Sequence, residues 1–378
     1  MLNQGSLYDA RPSEVGLALS GGGFRATLFH LGAAWRLNEL GLLRAIDRIS
    51  SVSGGSLLAG LLAIRWSSLD FGEGVASNFC REVVEPIWNL CGRNIDVWAT
   101  VRSLMMRSNA LPYFYRKHLV GDHTLQDMPD APEFLFNAAH LETGRNWTFS
   151  KAAMRTYMLG IVEKPNVYLA NVLAASSALP PVFPPMILRL DPDVFRRSEY
   201  ARLFDRVDLK RRVSLLDGGV YDNLGVQPIS RFGTLLVSDA SGPLESEIGG
   251  APLRTLFHRT MRPIAIAVEQ TRALRRRDTL RQLENGERQG AWWAVGTRTQ
   301  AYPVKSPFEV AEGWTALLES TRTRLNSFSD EEKARMINWG YLQCDLSVRS
   351  HYRKEASPPI SLPYPEYSFD RDPSEAVR

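Results

Sequence analysis

Two stretches near the N-terminus repeat one plan, and that plan limits the fold more than any other feature of the chain. In VGLALSGGGFRATLFHLGAAWRLNELGLL, an apolar run from Val15 to Leu19 meets three glycines and then a long segment of helical character. In the second stretch, the run Ile46 to Val52 is followed by Gly54 and Gly55 and continues as SLLAGLLAIRW. Apolar runs this short read as strands, and Leu28, Leu31 and Trp35 recur at the spacing of one helix face. Gly32 is expected to let the first helix lie close against the sheet. Two strand-turn-helix units in succession argue for an α/β fold with parallel strands.

Further along, residues 81–118 read as mainly helical and end in RSNALPYFYRKHLV. A strand is expected at Glu133 to Ala138, with Trp147 to Phe149 pairing back as a hairpin after the polar turn Glu142 to Asn146. Leu235 to Ser238 and Ile264 to Val268 are two more candidate strands, the second followed by the Arg-rich helical stretch TRALRRRDTLRQLENGERQG. Ser329 with Glu332 three positions on is a capping-box signature for a last helix. The chain shows neither internal repeat nor low-complexity linker. One domain over 1–350 with a helical insertion near 81–118 is expected, followed by a Pro- and Tyr-rich tail at 351–378.

The chemistry is sought among four serines in the run Ile-Ser-Ser-Val-Ser-Gly-Gly-Ser-Leu, positions 49 to 57. A serine hydroxyl is a poor nucleophile unless a base takes its proton and donors stabilise the oxyanion. Ser53 ends a short strand, precedes a helix and has small residues two positions away on each side, Ser51 and Gly55, as in a nucleophile elbow. A serine-rich N-cap before a glycine turn would look the same, and Ser50, Ser51 and Ser56 remain rivals. Gly21, Gly22 and Gly23 offer consecutive backbone donors at the mouth of a helix, suited to an oxyanion hole or an anion nest, although glycine runs are also plain turns. Neither GxxxxGK[ST] nor GxGxxG is present, which argues against a nucleotide loop. Arg25 would bring a permanent charge to the same spot, unless it is an ordinary helix-surface arginine. For the base, RVSLLDGGVYDNLGVQP is an apolar strand ending at Asp217; burial there would raise the carboxyl pKa, and an Asp-Gly turn is the plainer alternative.

The set GGGFR, SVSGGS and DGG, in that order, resembles the patatin-like phospholipases and the related cytosolic phospholipase A2 catalytic domain. The resemblance runs from about Val15 to the GERQGAWW stretch. It implies a three-layer α/β/α patatin-like fold with a mostly parallel central sheet, and lipid acyl hydrolysis through a Ser-Asp dyad and an acyl-enzyme. On that implication Ser53 is the nucleophile, Asp217 the base, Gly21 to Gly23 the oxyanion hole, and Arg25 steadies the substrate phosphate or the oxyanion. AASSALPPVFPP, Ala174 to Pro185, corresponds to a family segment that packs beside the active site. One departure is the elbow: the family pattern is GxSxG, and Ser51 stands at its first position, where a positive φ would be strained.

Three rival readings remain. His258 and His351 follow Asp217 in the order of a Ser-Asp-His triad, without lying in a recognisable motif. The segment with Arg275, Arg276, Arg277 and Arg281 invites a nucleic-acid reading, which the interleaved Asp278, Glu284 and Glu287 weaken in favour of a solvated helix face. No nucleic-acid partner is expected. The same arginines, with Trp98, Met105, Met106, Phe114 and Tyr115, would also suit an anionic bilayer surface. Patatin-like domains also include latent toxins and immunity effectors switched on by a nucleotide signal, a partner or assembly, which is the alternative function. Whether this chain has an activator or forms a homo-oligomer is unknown from sequence.

Composition narrows the setting. At 44% hydrophobic and 23% charged, 378 residues can bury a large core, which excludes a disordered or collagen-like chain. Cys80, Cys91 and Cys344 form no CxxC pair, so neither a disulfide framework nor a zinc site is indicated, and with no calcium-loop pattern no metal or organic cofactor is expected. No apolar run approaches the roughly 18 residues of a spanning helix. The resemblance implies a phospholipid substrate, and with it peripheral membrane contact and a cytoplasmic location are the expectations.

Overall fold

The computed structural model describes residues 11–106, 108–242 and 256–376. The chain runs β1 (Arg11–Leu19), α1 (Gly23–Glu39), β2 (Arg48–Val52) and α2 (Gly54–Arg65), then a small hairpin of β3 (Phe71–Gly72) and β4 (Val75–Ala76). The mainly helical stretch expected over 81–118 follows with α3 (Glu85–Cys91), α4 (Ile95–Met106) and α5 (Leu111–Tyr115). Strands β5 (Glu133–His140), β6 (Arg145–Phe149), β7 (Ala153–Thr156) and β8 (Gly160–Glu163) lead to α6 (Leu169–Ser176). Next come β9 (Met186–Arg189), β10 (Phe195–Arg196), α7 (Val207–Arg211), β11 (Arg212–Asp217), α8 (Gly219–Asp222) and β12 (Phe232–Asp239). The described C-terminal part holds α9 (Leu256–Glu284), β13 (Gln289–Ala294), α10 (Trp314–Glu319) and α11 (Asp330–His351).

Eleven strands form one sheet in the order β10-β8-β7-β6-β5-β2-β1-β12-β13, with β11 paired to β5 and to β9. The five strands from β5 to β13 are mutually parallel, as the repeated strand-turn-helix units require. From β5 outward, β6, β7, β8 and β10 extend the sheet as an antiparallel wing. Strand alternation divides the core. Leu17, Leu19, Leu236, Ala291 and Trp293 face the larger cluster with α1, α2 and α11, whereas Ala18, Leu235, Val237, Trp292 and Ala294 face a smaller one closed by Leu280 and Leu283 of α9. Helices on both faces make the α/β/α layering.

Two expectations need correction. Ile264 to Val268 is helical, within α9, and not a strand. A five-residue apolar run does not distinguish the two periods by itself, and the flanking helix formers carry the segment, leaving Ile266 42% exposed. Gly32 does permit a close approach, but to a helix: a Cβ there would overlap the Ile337 carbonyl oxygen of α11, and one on Gly340 of α11 would overlap the Phe29 carbonyl oxygen of α1. The two helices therefore cross backbone against backbone. Arg36 of α1 locks the crossing, donating from Nε and Nη2 to the fully buried Asp345 Oδ1 at 3.0 and 2.9 Å. The capping box that starts α11 is formed, Glu332 N–H to Ser329 Oγ at 3.2 Å and Ser329 N–H to Glu332 Oε2 at 2.7 Å. Beyond α11, Phe369 is buried with its ring edge-on to Trp314 and Trp339.

Overpacking a site without free volume costs about 1–3 kcal/mol. Gly32→Ala and Gly340→Ala should each lower the unfolding free energy by that amount or more in denaturant titration, while Gly72→Ala, where a Cβ meets nothing within 4 Å, stays within about 0.5 kcal/mol of the parent. Equal midpoints for all three variants would refute the close crossing.

Candidate active site

The site is made by two strands that meet end to end. Strand β2 runs parallel along one edge of β5 until Val52 pairs with Asn137. There the chain turns away into α2, and the next register position, Ala138, is taken by Asp217, the last residue of β11 arriving antiparallel. Ser53 and Asp217 are thus the first residue after one strand and the last of the other, and the Ser53 hydroxyl lies close enough to the Asp217 carboxyl to hold its pKa down.

Ser53 has φ 50° and ψ −118°, a conformation that costs a non-glycine residue about 1–3 kcal/mol and is typical of a strained elbow. Ser51, by contrast, lies in extended strand backbone, so its side chain at the first elbow position adds no strain. The other serines have tasks behind the strand. Ser50 Oγ accepts from Asn137 Nδ2 at 3.0 Å, and Ser51 Oγ accepts from Ser56 Oγ at 3.0 Å. The turn itself is held by Ser176, whose Oγ accepts from Ser53 N–H at 3.0 Å and donates to the Asn137 carbonyl at 2.7 Å.

Asp217 is buried, and burial pushes its carboxyl up to about 6, against the opposing pull of the Ser53 hydroxyl and the Gly219 N–H, which donates at 2.7 Å. At ~1.4 kcal/mol per unit, ionising it in the folded protein costs about 3 kcal/mol more than in the unfolded chain. The Ala174–Pro185 segment does pack here: Ala178 O accepts from Asp217 N–H at 3.0 Å and Ser176 O from Gly218 N–H at 3.2 Å.

The glycine loop lies against the elbow. A Cβ on Gly21 would sit 3.2 Å from Ser53 Cβ, one on Gly54 would overlap the Gly23 carbonyl oxygen, and Thr27 Oγ1 donates to the Gly54 carbonyl at 2.8 Å. Gly22 and Gly23 have φ of 141° and 55°, which only glycine adopts freely. The three glycines are not equivalent, however. Gly21 N–H already donates to the Asn223 carbonyl at 2.9 Å, so of the expected trio Gly22 and Gly23 are the ones left as candidate donors.

Arg25, expected at the substrate phosphate or oxyanion, has its guanidinium beside the glycine loop, with Nη2 3.8 Å from where a Cβ on Gly22 would sit. It is buried, and its Nη1 donates to the carbonyls of Glu319 and Thr321 at 2.7 and 2.8 Å. Burial pulls its pKa down to about 10, leaving it charged at neutral pH. It braces a segment whose Arg324 carbonyl accepts from Phe24 N–H at 3.3 Å beside the glycine loop. Of the two histidine rivals, His351 is exposed at the end of α11 and the His258 side chain lies outside the described residues. The groups acting on Asp217 are Ser53 and Gly219.

Sequence reasoning missed the supports: Asn137, Ser176, Asn223, and His30. The last is fully buried, donating from Nε2 to the Ser20 carbonyl at 2.9 Å with Nδ1 2.6 Å from Ser238 Oγ, and burial pulls its pKa to about 4, so the ring is neutral. Ser176 and Asn223 fall inside stretches the sequence singled out, but the sequence does not show their partners, which lie more than a hundred residues away.

Comparison with known proteins gives the family of the chain. A family model described as patatin-like phospholipase matches residues 17–229. Triacylglycerol lipase 4 of Saccharomyces cerevisiae is 26% identical over 241 residues, which are 60% of this chain and 23% of that protein; the match spans about a quarter of that relative's length. Among solved structures, human GIVD cytosolic phospholipase A2 superposes with a TM-score of 0.49 at 12% identity, covering 88% of this chain and 58% of that one. VipD from Legionella pneumophila gives 0.41 at 14% identity, covering 89% and 66%.

The Asp217 titration is the direct check on the geometry. Carboxyl NMR should follow it near 6, and Ser53→Ala, which removes the hydroxyl that holds the carboxyl pKa down, should move it higher still. Because the folded pKa is raised above the ordinary 3.8, the ionisation costs stability as pH rises from about 4 through 6, and Asp217→Asn should abolish that slope. An ordinary titration near 4 would mean the carboxyl is not buried beside Ser53.

Proposed function

The chain belongs to the patatin-like phospholipase family, and on that premise we propose that it is a lipid acyl hydrolase cleaving glycerophospholipid ester bonds. The observation that carries this reading is the buried Asp217 carboxylate beside the hydroxyl of a strained Ser53. Asp217 takes the hydroxyl proton as Ser53 Oγ attacks the ester carbonyl. A carboxyl near 6 is ionised at neutral pH yet basic enough for the task. The Gly22 and Gly23 N–H groups, with the positive N-terminus of α2, stabilise the oxyanion. Asp217 then protonates the departing alkoxide, and a water deprotonated by the same carboxylate releases the fatty acid from Ser53.

Access favours a membrane surface. Ser53 and Asp217 are only 9% and 3% exposed, so substrate entry requires their cover to move. The α4–α5 segment is anchored on both sides of them. Ile95 N–H donates to the Leu325 carbonyl at 2.8 Å near the glycine loop, and Tyr115 Oη lies 2.9 Å from Ser177 Oγ near Asp217. Along α4, Trp98 and Met105 are 64% and 80% exposed, and Leu179 and Val182 of the neighbouring loop are also bare. Apolar side chains so arranged support peripheral insertion beside the site. Of the other residues expected on that surface, Tyr115 is fully buried and Phe114 packs on the core, while the Met106 side chain lies outside the described residues. Among the described residues, no helix is long and apolar enough to cross a membrane.

The test is fatty-acid release from phospholipid vesicles. Ser53→Ala and Asp217→Ala should each lose about 10⁴-fold or more in kcat, and kcat/KM should rise tenfold per pH unit up to about 6 and then level off. His351→Ala should keep the parent rate. Activity that survives Asp217→Ala would sink the dyad. Replacing Trp98 and Met105 together by Ser should cut vesicle hydrolysis by about tenfold or more while sparing a soluble short-chain ester; equal loss on both substrates would refute the membrane surface.

A further inference from the structure

The Arg-rich stretch of α9 is not uniformly solvated. Arg276 and Arg277 are exposed, whereas Arg272 is buried and Arg275, three positions on and so on the same helix face, turns inward with it. Leu280 and Leu283 pack the following turns of α9 on the smaller core cluster, so both arginines are carried by an anchored helix.

Their targets lie on either side of Asn223, the residue that fits between the glycine loop and the Asp217 loop. Arg275 donates from Nη1 to the Tyr221 carbonyl in α8, its Nε lies 3.7 Å from Asp222 Oδ1, and its guanidinium stacks 5.2 Å from the centre of the Tyr221 ring. Asp222 is 1% exposed and accepts from the Leu224 and Gln227 N–H groups at 3.3 and 2.9 Å, so its carboxylate shapes the turn that carries Asn223. Arg272 acts from the other side. Its Nη1 lies 3.5 Å from the buried Asp239 Oδ2, Asp239 Oδ1 accepts from Ser241 N–H at 2.9 Å, and Ser241 Oγ accepts from Asn223 Nδ2 at 2.9 Å. Glu269 shares that guanidinium, accepting at 2.6 and 2.9 Å, so Arg272 contributes position and not free charge.

A carboxylate as buried as Asp222 is costly to leave unpaired, and a short helix leaves its last carbonyls without intrahelical partners. Arg275 meets both needs with one group. We propose that Arg275 is a positioning residue for ester hydrolysis: by fastening α8 to α9 it sets Asn223, and through Asn223 the separation between the Gly22 and Gly23 donors and the pair Ser53 and Asp217. It touches neither substrate nor reacting atoms, and Arg272 seats the other end of the same bridge. The inference rests on the hydrolase reading above and goes beyond it in giving α9 a part in the reaction.

Hydrolysis of a soluble short-chain ester by the full chain tests it. Arg275→Gln should lower kcat by about tenfold or more with KM within about twofold of the parent, since a misplacement of about 1 Å costs up to about 10²-fold. Arg275→Lys should recover most of that loss by donating to the same carbonyl. Asn223→Ala should also be slow, and adding Arg275→Gln to it should cost no more than about twofold further, because the two act through one contact. Arg275→Gln combined with Asp222→Asn leaves no unpaired carboxylate behind, so its unfolding midpoint should return towards the parent while kcat stays about tenfold or more below it; this variant carries the test if the single one does not fold. Asp278→Asn, exposed on α9, should keep the parent rate. A parent kcat in Arg275→Gln, a loss that multiplies with that of Asn223→Ala, or a kcat that recovers in step with the midpoint would each overturn the proposal and leave the hydrolase reading intact, which fails instead if Ser53→Ala keeps the parent rate.

Discussion

Along one edge of β5, Asn137 is paired to Val52 and Ala138 to Asp217, and the rest of the site depends on that succession. A parallel strand and an antiparallel strand share the edge and run towards each other, so both must end where they meet. One ends in a turn that lifts Ser53 out of the sheet; the other ends in Asp217-Gly218-Gly219. A Cβ on Gly218 would overlap the space of the Asn137 carbonyl and lie 3.2 Å from Val52 Cγ1, which shows how closely the two ends abut. The seam between parallel core and antiparallel wing is therefore what brings a hydroxyl and a carboxylate together from positions 164 residues apart in the chain.

Holding that seam has costs. Ser53 is kept at a positive φ and Asp217 is kept from water, each worth a few kcal/mol against folding. The offsetting interactions lie next to the site: Ser176 ties the Ser53 amide to the Asn137 carbonyl, Thr27 ties α1 to the start of α2, and the α1–α11 crossing holds α1 from behind. Arg25 belongs to this scaffold. A buried guanidinium donating to two main-chain carbonyls is a clamp on the loop that presses against Gly23, and its Nη2 lies beside Gly22.

Much of this was legible in the sequence, for a physical reason. Strand, glycine turn and helix are local patterns, and the run Val15 to Arg65 realises two of them in adjacent parallel strands. Ser53 and Asp217 were legible because an elbow and a strand-ending Asp-Gly-Gly leave local marks. Long-range facts left none. Gly32 signals close packing, but its partner Gly340 lies on a helix hundreds of residues away. Asn137 and Ser176 resemble ordinary polar residues until the fold joins them. Ile264 to Val268 misled because five apolar residues fit either period. In the glycine triplet, the sequence could not show that Gly21 N–H is already engaged by Asn223.

Asn223 links the two halves of the site more directly than any motif residue. Its carbonyl accepts from Gly21, its Nδ2 donates to Ser241 Oγ at 2.9 Å, and its Oδ1 occupies the space a Cβ on either Gly21 or Gly219 would need. The glycine loop and the Asp217 loop thus close on one amide, and a side chain on either glycine would push them apart. A shift of 1 Å between donors and nucleophile is enough to cost a large factor in rate. Glycine at positions 21 and 219 is therefore required by the fit of two loops around one side chain, while Gly22 and Gly23 are required by backbone conformation. The same residue type serves two different constraints a few positions apart, which is why a glycine-rich motif can be recognised whole while its members are held by different partners.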